Sequence, residues 1–408
     1  MINTLKSSDI KLSDFKLYAI VTGGYWAFTV TDGAIRMLVV LYFHLLGYSP
    51  LEVAMLFLFY EFFGIITNLV GGWLGARIGL NKTMHIGMAI QVFALLMLTV
   101  SDAWLSVPYV MAAQALSGIA KDLNKMSAKA SVKVFASDGN ETKLFKLVSA
   151  LTGSKNALKG TGFFVGAGLL EWIGFRGALL VLAGLLSLVL VATMISLPSG
   201  VGKLSTKPKF SQVFSHNAAI NWLAAARFFL FASRDVWFVV ALPVFLYSEL
   251  NFTFTEVGAA IAIWIIGYGI VQSIAPKLLG YSRAETAPGG LAALGWALLL
   301  ALISAAIALG MMQTFHTEFI LLGGLLAFGI VFAINSAIHS YLILAYSDGD
   351  KVAMNVGFYY MSNAAGRLTG TILSGWMYQS QGIIGCLWWS AGLLILAALF
   401  SLFLPRAD

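Results

Sequence analysis

The chain has 408 residues, of which 59% are hydrophobic and 11% are charged, whereas soluble domains carry roughly 25% charged residues. Its mean hydropathy is +0.86 and its net charge at pH 7 is +7. A water-soluble fold cannot bury that much apolar surface. The Lys and Arg residues are scattered between apolar runs, which excludes a nucleic-acid-binding protein. One cysteine, Cys386, excludes a disulfide framework and a thiolate metal site within one chain.

Apolar runs long enough to cross a bilayer, about 20 residues each, occur at twelve places. The residues before the first run are polar and lack the apolar core and cleavage site of a signal peptide, so we expect the first span to stay in the mature protein. The predicted spans are 17–46, 51–74, 83–100, 105–127, 143–170, 177–197, 218–247, 254–275, 288–311, 318–345, 352–377 and 382–404.

The cations between the spans predict the orientation. If the N-terminus is cytoplasmic, the cytoplasmic segments carry most of the loop cations, from Lys6 to Arg406, and the outer connections carry only Arg176. This is the positive-inside pattern. An even number of spans then places both termini in the cytoplasm.

The sharpest change in composition lies near the middle of the chain, at 198–217, which is rich in Pro, Gly, Ser and Lys. Such a composition is typical of a linker. We therefore expect an N-terminal six-helix bundle at 1–197, a cytoplasmic linker at 198–217 and a C-terminal six-helix bundle at 218–408.

Polar residues recur at similar offsets in the two halves. Asp32 and Asp235 are 203 residues apart, and Asn156 and Asn363 lie in the fifth and eleventh spans. The further pairs are Glu52 with Glu256 and Asn124 with Asn335. The pattern predicts an all-α membrane protein with two parallel six-helix pseudo-repeats, which resembles the major facilitator superfamily fold, where substrate binds near the bilayer midplane.

The stretch after the second span supports that resemblance. Residues 72–79 read Gly-Trp-Leu-Gly-Ala-Arg-Ile-Gly, which is similar to the superfamily's motif between spans 2 and 3. Gly72, Leu74, Arg77 and Gly79 match the motif, whereas Ala76 replaces its usual aspartate and Leu80 its usual arginine. The charge relay that this loop makes in many relatives is therefore expected to be absent or altered here.

Charged side chains within the predicted spans identify a candidate site. Each costs about 2.5 to 3.5 kcal/mol at mid-span on insertion scales, so it should face a polar cavity or a partner. The predicted substrate-binding residues are Arg36, Lys121, Asn124, Lys125, Lys155, Lys159, Arg227, Arg234 and Arg367, and the residues predicted for coupling or ion pairs are Asp32, Glu61 and Asp235.

The spacing indicates which of these can act together. Asp32 and Arg36 are four residues apart and share a helix face, as do Lys155 and Lys159. Entered from residue 143, the fifth span reaches Lys155 after about 18 Å, which is mid-membrane. Two like charges at that depth repel each other unless an anion lies between them.

Eight cations in this set face three anions, which predicts a substrate with two or more negative charges. Lysine provides a mobile point charge for phosphate-like oxygens, and arginine a bidentate fork. Other interpretations stay open. Asp32 with Arg36 can form a structural or gating ion pair, and Lys121 and Lys125 can belong to the positive-inside belt with side chains reaching the surface. Glu61 can carry a proton or pair with a lysine of the fifth span, and Arg367 can bind substrate or pair across the halves.

No catalytic motif is present. The chain has no Walker loop, HExxH, Gly-x-Ser-x-Gly or paired-cysteine motif. We therefore expect a protein that is not an enzyme, needs no cofactor or metal, and is driven by an ion gradient or by the substrate's own gradient.

Four stretches point to a narrower family: 24–34, 113–129, 151–160 (Leu-Thr-Gly-Ser-Lys-Asn-Ala-Leu-Lys-Gly) and 234–243. With them the chain resembles the ArsJ family of organoarsenical efflux permeases over nearly its whole length. The resemblance implies a bacterial inner-membrane exporter of 1-arseno-3-phosphoglycerate that confers arsenate resistance. It also implies a functional link to a glyceraldehyde-3-phosphate dehydrogenase that makes this ester.

The sequence thus predicts an exporter of a polyanionic three-carbon ester that works by alternating access, expected to be a monomer. The first alternative is a carrier of the same fold for phosphate, a sugar phosphate or another organic anion. A membrane sensor or assembly subunit ranks below both, because the longest non-apolar segment has only about 20 residues and a soluble effector domain needs more.

Overall fold

The computed structural model describes residues 2–48, 56–135, 141–198, 217–239, 241–252, 254–280, 287–313, 316–347 and 351–405. These residues form α-helices and one short 3-10 turn, and none of them lies in a strand. In chain order the helices are α1 (Ile2–Leu45), α2 (Leu58–Ile78), α3 (Leu80–Met97), α4 (Val107–Phe135), α5 (Glu141–Ser196), α6 (Ala218–Phe238), α7 (Ala241–Ser248), α8 (Phe254–Leu278), α9 (Gly290–Gln313), α10 (Thr317–Ala345) and α11 (Val352–Ser401).

The helices account for all twelve predicted spans, and the predicted all-α fold is confirmed. Two helices, α5 and α11, contain two spans each, joined at Gly174 and Gly382, where φ is 70° and 66°. Only glycine adopts such a backbone at little cost. The seventh predicted span is divided between α6 and α7.

Five segments within the described ranges are long and apolar enough to cross a membrane on length and composition alone. Some of the remaining helices carry charges within the span, as α4 does at Lys121, Asp122 and Lys125. The five segments are Gly168–Ser196, Ala259–Leu278, Gly290–Gln313, Thr317–Ala345 and Val352–Ser401.

The internal repeat is visible in how the fifth span of each half packs on the first. A Cβ atom on Gly166 of α5 would lie 2.5 Å from the carbonyl oxygen of Ala34 in α1. In the second half, a Cβ on Gly370 of α11 would lie 2.7 Å from the carbonyl oxygen of Ala232 in α6. The backbones touch at equivalent places, which requires residues without side chains.

The motif between spans 2 and 3 forms a tight connection. A single residue, Gly79, separates α2 from α3, and its N–H donates to the carbonyl oxygen of Gly75 at 2.9 Å. The guanidinium of Arg77 lies 5.0 Å from the centroid of the Trp73 ring. An aromatic ring therefore contacts Arg77 in this motif, in which Ala76 stands where relatives have aspartate.

The chain divides into two compact units. Unit 1 contains residues 1–144, 161–214 and 347–357, and unit 2 contains residues 145–160, 215–346 and 358–408. The units follow the two halves of the sequence except at 145–160 and 347–357. Since the predicted linker at 198–217 falls almost wholly outside the described residues, the boundary between two six-helix bundles stays a prediction.

Each unit has its own apolar core. In unit 1, the Tyr42 ring stacks on Phe175 with centroids 4.0 Å apart, beside the buried Phe43. In unit 2, Trp237 packs edge-on against Phe328, with centroids 5.2 Å apart. These contacts fix the rotation of α1 and α6 about their axes, and with it the direction of their charged side chains.

The packing of α5 on α1 predicts unequal effects of alanine at neighbouring glycines. Gly166→Ala should lower the free energy of unfolding by about 1–3 kcal/mol, since the new methyl group has no room beside the Ala34 backbone. Gly168→Ala is the matched control, because nothing lies within 4 Å of its Cβ position. Thermal unfolding in detergent measures both, and equal stability of the two variants would contradict this packing.

Candidate functional site

Unit 1 contains a cluster of alternating charges on α1, α2 and α4. Arg36 Nη2 donates to Glu61 Oε1 at 2.9 Å, and Lys121 Nζ lies 3.8 Å from the other oxygen of Glu61. Lys121 Nζ also lies 3.5 Å from Asp122 Oδ2, whose partner oxygen accepts from Lys125 at 2.5 Å. Glu61 and Asp122 thus each lie between two cations.

Tyr60 lies at the centre of this cluster and is fully buried. Its hydroxyl donates to Asp32 Oδ1 at 2.6 Å. The guanidinium of Arg36 lies 4.0 Å, and the ammonium of Lys121 3.9 Å, from the centroid of its ring. A tyrosine at this position thus joins the cations by its ring and the carboxylate of Asp32 by its hydroxyl.

The sequence placed Asp32 and Arg36 on one helix face, where they could pair. In the structure Arg36 reaches across to Glu61 on α2, and Asp32 accepts from Tyr60. Asp122 was not predicted, although it is buried and contacts both Lys121 and Lys125. With it the cluster contains three cations and three carboxylates, so the excess of positive charge expected from the sequence does not lie here.

Asn124, another predicted substrate ligand, faces the interior of unit 1. Its side-chain amide donates to the carbonyl oxygen of Ala120 on its own helix at 2.9 Å. It is fully buried and lies against the backbone of Gly87 in α3. In this position it packs α4 on α3.

In unit 2, a buried carboxylate is shared by two arginines. Asp235 on α6 has no exposed surface. Its Oδ1 accepts from Arg234 Nε at 2.6 Å, and its Oδ2 accepts from Arg367 Nε of α11 at 3.2 Å. This group of three side chains carries a net charge of +1.

Arg227, two turns before Arg234 on α6, has a different environment. It is 3% exposed, and its Nε donates to Asn363 Oδ1 at 2.8 Å. Its Nη1 donates to Ser336 Oγ at 3.1 Å, and the guanidinium stacks on Phe231 at 3.9 Å from the ring centroid. No carboxylate among the described residues pairs with Arg227.

A chain of neutral hydrogen bonds runs from Arg227 to α5. Gln272 Nε2 donates to Ser336 Oγ at 3.2 Å, and Gln272 Oε1 accepts from Asn156 Nδ2 at 2.6 Å. Asn156 Oδ1 in turn accepts from Lys155 Nζ at 3.3 Å. Gln272 was not found from the sequence, where a lone glutamine in an apolar span carries little signal.

The predicted lysines of α5, Lys155 and Lys159, both lie in the segment 145–160 that belongs to unit 2. Both are half-buried. Glycines allow this segment to approach α8, since Gly153 touches the backbone of Ser273. The structure thus groups these lysines with Arg227, Arg234 and Arg367, and not with the lysines of α4.

The two units differ in how far carboxylates balance their buried cations. In the part of the chain that the structure describes, no three His, Cys, Asp or Glu side chains converge as metal ligands would. The cations of the unit 1 cluster are balanced by carboxylates, whereas in unit 2 the buried Arg227 has no carboxylate partner among the described residues. Unit 2 therefore provides the stronger attraction for an anion.

Two Asp–Arg ion pairs, one buried at Asp235 and one exposed at Asp102, predict unequal losses of stability. Asp235→Asn should destabilise the protein by about 2–4 kcal/mol, because it leaves Arg234 and Arg367 without their shared carboxylate in the interior. Asp102→Asn breaks a pair with Arg176 in which both side chains are about half exposed, and should cost less than about 1 kcal/mol. Thermal unfolding in detergent compares them, and equal losses would contradict the buried pairing.

Comparison with known proteins identifies the family and the fold of the chain. The model of the Major Facilitator Superfamily matches residues 21–309. No curated protein matches the sequence.

Among solved structures, the chain is similar to the human organic anion transporter MFSD10 (TETRAN), with a TM-score of 0.76, 14% identity, and 95% of this chain and 99% of that chain covered. It is also similar to the E. coli fucose:proton symporter FucP, with a TM-score of 0.73, 12% identity, and 96% and 99% covered. A bacterial homologue of the iron transporter ferroportin, in its outward-facing state, gives a TM-score of 0.73 at 16% identity, with 95% and 98% covered. At these identities the similarity shows the fold alone.

Proposed function

Because the chain belongs to the Major Facilitator Superfamily, and is thus a multi-pass membrane transporter, we propose that its substrate is a small polyanion and that it exports 1-arseno-3-phosphoglycerate. The observation that carries the proposal is Arg227, a buried guanidinium whose hydrogen-bond partners among the described residues are all neutral. Transporters of this superfamily bind small substrates within the bilayer and typically act as monomers, and we propose the same for this chain.

Burying a charge in the protein interior is costly. An ionised side chain in the protein interior loses its hydration, at an effective cost of several kcal/mol, unless an opposite charge or good hydrogen bonds compensate it. The hydrogen bonds and the Phe231 ring compensate Arg227 in part. A negatively charged substrate group would supply the missing countercharge.

A second cationic position lies nearby on α6. The Arg234 guanidinium lies 4.9 Å, and that of Arg227 3.9 Å, from the centroid of the same Phe231 ring, so the two groups are within about 9 Å of each other. Arg234 shares Asp235 with Arg367, which leaves one net positive charge there. Two separated positive charges favour a substrate with an anionic group at each end.

The resemblance to the ArsJ family names such a substrate. A three-carbon ester with a phosphate at one end and an arsenate at the other has two anionic ends, as the two arginine positions require. The proposal includes the remaining implications of that resemblance: a place in the bacterial inner membrane with both termini cytoplasmic, outward transport, and supply of the ester by a glyceraldehyde-3-phosphate dehydrogenase.

A carrier for phosphate, a sugar phosphate or another organic anion is the second candidate. The cations of unit 2 recognise charge and would accept other oxyanions. The human structure with the same fold is described as an organic anion transporter, which agrees with an anionic substrate but not with any particular one.

Cells without their own arsenate export would separate the two candidates. We expect resistance to arsenate only when the transporter and the dehydrogenase are expressed together, because the dehydrogenase makes the ester. Resistance from the transporter alone would contradict the ester as substrate and favour the second candidate.

Single substitutions test the site. In vesicles, Arg227→Gln should reduce polyanion transport on the order of 100-fold, since the countercharge for the substrate is lost, and Lys155→Ala should abolish it with normal membrane insertion. Lys277→Gln, an exposed cation at the end of α8, is the control and should transport like the wild type. Wild-type transport by Arg227→Gln would remove Arg227 from the site.

Three carboxylates, Asp32 and Glu61 in unit 1 and Asp235 in unit 2, support a different role from substrate binding. We propose that a proton on Asp32, Glu61 or Asp235 resets the carrier during alternating access, since each is a carboxylate within the membrane-spanning region. Transport in vesicles should then follow an imposed pH gradient. The same rate with and without the gradient would contradict proton coupling and leave the substrate assignment intact.

A further inference from the structure

We propose that the neutral partners of Arg227, namely Asn363, Ser336 and Gln272, determine the specificity of the site for anions. They hold the guanidinium in one position without cancelling its charge, so that its countercharge must come from a multiply charged oxyanion such as a phosphate or arsenate ester. The inference rests on the proposed function and adds to it the residues that keep the site cationic.

Arg227 differs in its partners from four other cations of the described residues. Arg36 and Lys121 both contact Glu61, and Lys125 contacts Asp122. Seven residues after Arg227, on the same helix, Arg234 contacts Asp235. The fold therefore uses carboxylates beside these cations and amides or a hydroxyl beside Arg227.

Asn363 shows the difference between an amide and a carboxylate beside Arg227. It is 6% exposed, and its Oδ1 accepts from Arg227 Nε at 2.8 Å. An aspartate has nearly the same shape and would accept the same hydrogen bond more strongly. If orienting Arg227 were the whole role of this position, aspartate would serve at least as well as asparagine. The difference is that asparagine leaves the positive charge uncompensated.

Ser336 adds a donor beside the guanidinium. Its Oγ accepts from both Arg227 Nη1 at 3.1 Å and Gln272 Nε2 at 3.2 Å. With both lone pairs occupied, the hydroxyl can only donate its own proton, and it donates to no group within the described ranges. An anionic oxygen near Arg227 would accept that hydrogen bond.

Gln272 is fixed in the orientation that this requires. Its Oε1 accepts from Asn156 Nδ2 at 2.6 Å, so its NH2 group faces Ser336. A glutamate at this position could not donate to Ser336, and only the Ser336 hydroxyl would separate its negative charge from Arg227. Gln272 is thus a positioning residue that acts through Ser336.

Near-isosteric variants of the full-length protein in detergent test the inference. Binding of 3-phosphoglycerate and of inorganic arsenate is measured by titration calorimetry for the wild type, Asn363→Asp, Asn363→Ser and Gln272→Glu, with thermal unfolding recorded for each. Asn217→Asp is the control. Asn217 caps the N-terminus of α6, where its side chain accepts from Ala219 N–H and aspartate caps equally well, while the donation from Asn217 Nδ2 to the carbonyl oxygen of Tyr346 at 3.2 Å is lost.

We expect Asn363→Asp to weaken 3-phosphoglycerate binding at least 30-fold without lowering the unfolding temperature. Gln272→Glu should weaken it about 10-fold. Asn363→Ser loses the acceptor geometry but adds no charge, so it should bind more tightly than Asn363→Asp, and Asn217→Asp should bind like the wild type.

A purely structural role for Asn363 predicts the opposite order, with Asn363→Asp better than Asn363→Ser in both stability and binding. That order, or wild-type binding by both Asn363→Asp and Gln272→Glu, would overturn the inference and leave the proposed function standing. A wild-type protein that binds neither anion would contradict the proposed function itself.

Discussion

The guanidinium of Arg227 is a positive charge in the interior of unit 2, held by an amide, a hydroxyl and two aromatic rings. Such a charge is costly to bury without an opposite charge, and a fold of this class retains it where a ligand supplies the compensation. The neutral partners of Arg227 and its stacking on Phe231 hold the guanidinium without an opposite charge. A second cation, Arg234, contacts the same ring. The anionic substrate that we propose follows from the same constraint.

The two units differ in how their buried cations are compensated. The cluster around Tyr60 in unit 1 is balanced, with Glu61 and Asp122 each between two cations. A balanced network of this kind changes its net charge only when a carboxylate takes up a proton. This division favours substrate recognition in unit 2 and a coupling or gating role for the cluster of unit 1.

Most of the fold could be predicted from the sequence, because the length and hydropathy of apolar runs determine where helices cross a bilayer. The pairing of charges could not. The contact of Arg36 with Glu61 depends on how α1 and α2 are rotated against each other. Gln272 was missed for the same reason, because its contacts with Asn156 and Ser336 come from packing between helices. Asp122 was missed although it lies one residue from Lys121 and three from Lys125 on α4, a spacing that the sequence does show. The ArsJ-type assignment and the supply of substrate by a dehydrogenase remain proposals.

The most direct test of the account is to locate an arsenic atom in the protein. Crystals soaked with a hydrolysis-resistant arsonate analogue of a three-carbon phosphate ester would show arsenic by its anomalous scattering. The account predicts a peak beside the guanidinium of Arg227 or that of Arg234, with the phosphate near the other. A peak beside Arg36 and Lys121, with none in unit 2, would contradict it.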